Sequence, residues 1–293
     1  MVIEVDPNYS GLAGLPYKVV RIEAGVPGNP RALQHGTGFF FAMDVLGREL
    51  PIIISNKHVL SGASYLSFEM ARQKNNRREF APPEVVRFRG GALPVFEHPD
   101  PEVDLAAVPL APIWNEMQKR GVEPFPLVEF IGSLPPPYIE QAIHAATPAL
   151  MVGFPQGLLD EVNNLPLVRR GIFATPYSAN YMGKEEFVVD IAAFPGSSGS
   201  PVYAVFEGVL PTEWGFTHLN HPVAFLAGIL WGGPQFAAEG KMIPMAVPQM
   251  GPITAIPAHL GYCIKARRIL ELKPLIVRHI QQHAIDQIPP ATS

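Results

Sequence analysis

The sequence predicts an all-β protein built as two strand-rich lobes and closed by a C-terminal helix. Three observations point there. The chain carries 33 Pro and 26 Gly, spread along its length rather than gathered in one tract, which suits many short strands joined by tight turns. Its apolar residues come in short runs, such as Phe39–Met43, Leu50–Ser55 and Val223–Trp231, bounded by turn residues. And 293 residues, 47% of them hydrophobic and 16% charged, can bury a core in each of two lobes.

Taken in order, residues 1–14 read as an irregular arm and Tyr17–Ile22 as a first strand. Gly36-Thr37-Gly38 reads as a turn leading into the strand Phe39–Met43, and Leu50–Ser55 as the next strand, ending at Asn56-Lys57-His58. Tyr65–Phe68 and Glu84–Phe88 bracket Arg72–Arg78, whose basic, polar residues suggest a solvated hairpin tip. Asp104–Pro109 is a buried strand. Ile113–Arg120 has the pattern of a short helix stopped by Gly121, and Pro135-Pro136-Pro137 that of a stiff connector. A second series of strands follows at Ala149–Gly153, Gly171–Ala174, Phe187–Ala192, Pro201–Phe206 and Val223–Trp231. Ile264, Ile269 and Leu272, with Lys265, Arg267 and Arg268 between them, give an amphipathic helix that resumes after Pro274 through His283. The expected division is an arm (1–14), a first lobe (15–125), a linker (126–142), a second lobe (143–260) and a closing helix with tail (261–293).

Composition narrows the function classes. A net charge of -4 gives no reason to expect nucleic acid or an anionic membrane as partner. The single cysteine, Cys263, excludes an intrachain disulfide. The start Met-Val-Ile-Glu-Val-Asp-Pro lacks the basic and apolar blocks of a signal peptide, and no apolar run is long enough to span a bilayer. The expectation is a soluble, cytoplasmic protein.

The stretch Phe194-Pro195-Gly196-Ser197-Ser198-Gly199-Ser200-Pro201 carries the most chemical information. A serine hydroxyl becomes a useful nucleophile on a tight turn beside a base and near backbone N–H donors. Flanking glycines permit such a turn and leave the N–H groups of Gly196 and Ser198 free to converge on an oxyanion, where removing one donor costs about 2.7–4 kcal/mol. This stretch alone does not separate a catalytic turn from a plain Gly-Ser turn. His218 and His221 form a two-histidine pattern without carboxylate or thiol partners, so no metal site is expected. Cys263, at the start of the expected closing helix, reads as buried rather than nucleophilic.

Gly196-Ser197-Ser198-Gly199-Ser200-Pro201 resembles the Gly-X-Ser-Gly-(Gly/Ser)-Pro signature of trypsin-like serine peptidases. Ile53-Ile54-Ser55-Asn56-Lys57-His58-Val59-Leu60 is similar to the family's histidine segment, and Asp104-Leu105-Ala106-Ala107-Val108 to its aspartate segment, in the chain order His, Asp, Ser. Gly36-Thr37-Gly38-Phe39, Val152-Gly153-Phe154-Pro155 and Gly228–Gly232 resemble further family elements. The lead-in Phe187–Pro195 and the stretch Gly261–Leu270 are closest in style to the high-temperature-requirement branch, without a PDZ domain.

The resemblance implies a chymotrypsin-like fold of two six-stranded antiparallel β-barrels and a serine endopeptidase acting on protein or peptide substrates, without a cofactor. It implies His58, Asp104 and Ser198 as the catalytic triad and the N–H groups of Gly196 and Ser198 as the oxyanion hole. Ala192, six positions before the nucleophile, would lie at the base of the pocket for the side chain preceding the cut, with Trp231 and Gly232 along the substrate. An alanine there cannot pair a basic side chain, so cleavage after small or medium apolar residues is expected, unless Asp190 turns inward. Secreted relatives are switched on when a new N-terminus pairs with an aspartate immediately before the nucleophile. Here that residue is Ser197, so no N-terminal cleavage is expected, and a regulatory partner or loop would supply control. The alternative is a catalytically silent trypsin-like fold serving as a protein-binding module.

Overall fold

The computed structural model describes residues 11–29, 32–75, 77–238, 254–257 and 259–285. Most of the expected N-terminal arm (residues 1–10) and the tail after 285 lie outside the described residues. The protein is mostly β. In the first lobe an eight-stranded sheet runs Glu84–Arg89, Tyr65–Met70, Val19–Gly25, Leu33–Val45, Arg48–Ser55, Ala106–Pro109, Phe96–Glu97, with Glu129–Phe130 added in parallel beside Leu33–Val45. The expected first barrel is not closed by hydrogen bonds among the described residues. The two ends of the sheet, Glu84–Arg89 and Phe96–Glu97, are consecutive along the chain. Between them lie Gly90, Gly91 (φ 78°) and Pro94, which turn the chain and remove a ladder donor where one continuous strand would have joined the edges.

The second lobe is a closed six-stranded barrel in the order Pro148–Gly153, Leu167–Phe173, Glu186–Asp190, Gly261–Lys265, Val223–Gly232, Pro201–Phe206. The strand Gly261–Lys265 was expected as the start of the closing helix. It instead pairs on one side with Glu186–Val189 and on the other with Gly228–Gly232, which completes the barrel. A 3₁₀ segment, Ala266–Leu272, and the helix Lys273–Ile285 follow. Ile264, Ile269, Leu272 and Ile276 all enter one core, so their spacing reports shared burial across three kinds of local structure rather than a single helix face.

That core lies between the lobes. Phe39, Phe41, Ile52 and Ile54 pack there with Val152, Tyr203, Leu226 and Ile229, while Phe40 and Ile53 point the other way into the first lobe's own core. Alternate residues of a strand face opposite sides. Two buried faces therefore account for the unbroken apolar runs Phe39–Phe41 and Ile52–Ile54. The joint carries a buried polar tie as well: Glu129 accepts from Lys18 Nζ (2.8 Å) and from the Tyr203 hydroxyl (2.9 Å).

Three local expectations are corrected. Gly36-Thr37-Gly38 is not a turn but lies inside the strand Leu33–Val45, where a Cβ at Gly38 would come within 2.6 Å of Ile53. Arg78 is not solvated: it is buried, donates to the carbonyls of Asn163 and Asn164, and lies over the rings of Tyr17 and Phe80. The third proline of Pro135–Pro137 opens a helix, Pro137–Ala142, because proline fits the first helical position, whose N–H has no partner in any case. The expected helix before Gly121 is present as Ala111–Lys119. Among the described residues no helix is long and apolar enough to cross a membrane.

Candidate active site

His58 sits on a one-turn helix, Lys57–Leu60, directly after the strand Arg48–Ser55. Asp104 lies just ahead of the strand Ala106–Pro109, which pairs with it; the register sets Ser55 opposite Ala106. The Asp104 carboxylate takes two donors from the same residue: the His58 backbone N–H at Oδ1 (3.0 Å) and His58 Nδ1 at Oδ2 (2.5 Å). An acceptor-only carboxylate at Nδ1 fixes the proton there and leaves Nε2 with a free lone pair. Asn56, fully buried, donates its amide to the Asp104 carbonyl (2.7 Å), and Lys57 Nζ donates to the Asp100 carbonyl (2.8 Å). The aspartate loop is thus pinned on both sides of the carboxylate.

The Ser198 turn has a different construction. Gly196 and Gly199 both adopt left-handed conformations (φ 85° and 86°), and a Cβ on either would run into backbone: Phe154 O for Gly196, Thr37 O for Gly199. Thr37 holds the turn from the first lobe. Its N–H donates to the Ser198 carbonyl (2.8 Å) and its hydroxyl to the Gly196 carbonyl (2.9 Å), while that hydroxyl accepts from the Phe154 N–H (3.1 Å).

Backbone donors along the turn divide cleanly. Ser197 N–H donates to Phe194 O, Gly199 N–H to Leu230 O and Ser200 N–H to Ser197 O. Gly196 N–H and Ser198 N–H have no acceptor among the described residues. The Pro195 carbonyl is occupied by Gln156 N–H (2.5 Å), and in a trans peptide the Gly196 N–H must point the opposite way.

His58, Gly196 and Ser198 line one cleft of about 450 Å³, together with Gln156, Pro195 and the strand segment Leu33, Gln34, His35. Asp104 joins them through His58. No hydrogen bond links Ser198 Oγ to His58 among the described residues; the two side chains share the cleft, and such contacts tighten when substrate fills the site. Burial, and then the neighbouring Arg21 guanidinium, lowers the pKa of His35, which keeps that ring neutral in the cleft.

The expected substrate-binding residues stand apart from this cleft. Ala192 is buried, with its carbonyl taken by Arg169 Nη1 (2.6 Å), and Trp231 and Gly232 are half-buried at the end of the strand Val223–Gly232. None of the three is among the cleft's lining residues. Asp190 is exposed and does not turn inward. His218 and His221 are exposed, and the described residues contain no cluster of three metal-ligating side chains. Cys263 is buried in a barrel strand, where burial raises its thiol pKa well above the ordinary value, so it is a poor nucleophile.

The sequence alone points to His58, Asp104 and Ser198 and carries no sign of which residues hold the turn. Thr37, Gln156 and Arg169 bond to it from distant positions, with Ser55 bonded behind Thr37, and of these only Thr37 and Ser55 lie in segments with a family pattern.

The sequence profile of the trypsin-like peptidase domain matches residues 36–210. No curated protein matches the chain. Among solved structures, the serine endoprotease from Yersinia pestis aligns over 94% of this chain and 68% of its own, at 16% identity and a TM-score of 0.48. A protease from M. tuberculosis in its active form aligns over 90% and 84%, at 16% identity and 0.42. The MamO protease domain from Magnetospirillum magneticum aligns over 90% and 96%, at 16% identity and 0.41.

Proposed function

The chain belongs to the trypsin-like peptidase family, and on that premise we propose that it is a serine endopeptidase that cleaves peptide bonds through an acyl-enzyme on Ser198. One observation carries the reading. A histidine whose Nδ1 is held by a carboxylate shares a cleft with a serine flanked by two unused backbone N–H donors. His58 Nε2 takes the Ser198 proton as Oγ bonds to the scissile carbonyl carbon. The oxyanion accepts from Gly196 N–H and Ser198 N–H. When the C–N bond breaks, the proton passes from His58 to the leaving amine, and a water molecule then repeats the sequence to release the acid. Asp104 holds the tautomer and stabilises the imidazolium.

The partner in this reading is a protein or peptide chain. The single cysteine supports an intracellular setting. For specificity, the reading rests on the family position of Ala192 and on the outward Asp190, neither of which offers an acid to a basic side chain, and it is cleavage after small or medium apolar residues, although Ala192 does not line the cleft. A peptide-library profile dominated by Lys and Arg would overturn that part alone.

The direct test of the function is labelling of the full chain with a fluorophosphonate probe, followed by mapping of the modified residue. Adduct on Ser198, lost in Ser198→Ala, is expected. A folded protein that takes no label would favour the silent binding module instead.

A further inference from the structure

Beneath the nucleophile turn lies a half-buried cation that the catalytic sequence does not use. Arg169 belongs to the barrel strand Leu167–Phe173, where its partner is Met151. Phe173, four residues on and therefore on the same face, packs in the barrel core, so the Arg169 side chain runs inward at the barrel's end. There its guanidinium spans the turn's approach. Nη1 donates to the Ala192 carbonyl (2.6 Å), Nη2 to the Ser197 hydroxyl (2.8 Å) and to Met151 Sδ (3.1 Å), and the Phe194 ring centroid is 6.0 Å away.

No carboxylate pairs with Arg169 among the described residues, and its Nε is buried without a partner. Burial alone lowers the guanidinium pKa to about 10. A half-buried charge with no carboxylate partner and an unpartnered Nε adds little to folding, so packing alone gives no reason for an arginine here. Its geometry does: a planar fork can hold two points of one backbone segment at a fixed separation. Those points, Ala192 and Ser197, bracket Gly196 and lead directly into Ser198.

We propose that Arg169 is a positioning residue for the oxyanion hole. Its guanidinium holds the segment 192–198 in the conformation that leaves Gly196 N–H and Ser198 N–H unpaired and facing the cleft. Thr37 clamps the same turn from the other lobe. Ser197, which cannot meet an ammonium group as an aspartate would, instead gives its hydroxyl oxygen to this internal cation. The turn is thereby ordered by a strut within the chain, with no ion pair. This inference rests on the reading of Ser198 as nucleophile.

The test compares wild type, Arg169→Met, Arg169→Lys and Ser197→Ala as full chains. It reads kcat, KM and the affinity of a peptide aldehyde, whose adduct needs the oxyanion donors, with thermal melts to verify folding. Arg169→Met is expected to lose on the order of 10²-fold in kcat and a similar factor in aldehyde affinity, the scale of one lost oxyanion donor, with KM little changed. Lysine keeps the charge without the fork and should recover only part. Ser197→Ala should show a smaller loss in the same two quantities, and it decides the matter if Arg169→Met does not fold. A role in stability alone would move the melt and leave kcat and aldehyde affinity together at wild-type values. That result, in an active protein, overturns the strut and leaves the peptidase reading standing. An inactive wild type overturns both.

Discussion

The two halves of the candidate site are held by different means. The His58–Asp104 half is local to one lobe: a strand end, a single helical turn and the neighbouring strand's entry, with the hydrogen bonds that fix Asp104 against His58 and Asn56 all made inside residues 56–104. The Ser198 half is assembled from a distance. Thr37 reaches Gly196 across 159 positions, and Gln156, Arg169 and Leu230 each bond to it from separate strands or loops. The first half is a side-chain pair in which one carboxylate sets one imidazole. The second is a backbone shape, useful only while two particular N–H groups stay unpaired. Damage to the first should remove chemistry with the fold intact, whereas damage to the second should couple activity to stability.

The largest effect expected from breaking this contrast lies in the first half. Asp104→Asn would present an amide N–H or oxygen to Nδ1 and allow the wrong imidazole tautomer. A fall of about 10⁴-fold in kcat is expected, with an unchanged melting temperature. Steady-state kinetics beside a thermal melt would check it, and an equal loss in both would erase the distinction between the halves.

Thr37→Val tests the second half. The substitution keeps the shape but removes a buried hydroxyl that donates to Gly196 O and accepts from Phe154 N–H. Leaving those backbone groups unpaired should cost about 1–3 kcal/mol of stability. Urea denaturation measures that cost, and kcat should fall with it. A Thr37→Val protein as stable and as active as wild type would show that the turn holds its own shape.

The smallest effect is a pH dependence behind the aspartate loop. His98 is buried, accepts the Asp100 N–H at Nδ1 and lies 3.2 Å from Glu271 through Nε2, with Arg268 and Lys57 also nearby. Burial lowers its pKa below the ordinary 6.5 despite the opposing pull of Glu271, and the two cations act with burial. The unfolded chain therefore takes up the proton first. The stability is complete above pH 6.5 and is lost as pH falls from there through the lowered folded value. Denaturation on either side of that window should show the decline in wild type and a shallower one in His98→Gln.

The same contrast explains what the sequence discloses. The segments around His58, Asp104 and Ser198 are legible because each carries its chemistry in consecutive residues. The runs Phe39–Phe41 and Ile52–Ile54 read as strands because both of their faces are buried. The pairing of Asp104 with His58 and the sharing of a cleft with Ser198 follow from those segments. Arg169 was not legible, since nothing adjacent to it in sequence reveals that its strand ends under Ser197. The break between Glu84–Arg89 and Phe96–Glu97 depends on how a Gly-Gly-Ala-Leu-Pro stretch meets the sheet edge, a tertiary matter. Gly261–Lys265 was misread because a helical spacing and burial in an interlobe core leave the same apolar pattern.

The central claim is that Ser198 and His58 act as one chemical unit, and a double-mutant kinetic comparison on a peptide substrate addresses it most directly. Ser198→Ala and His58→Ala should each lower kcat by on the order of 10⁶-fold, and the double variant should be no worse than either. Multiplying losses, or a Ser198→Ala protein that still turns over substrate at the wild-type rate, would contradict the account.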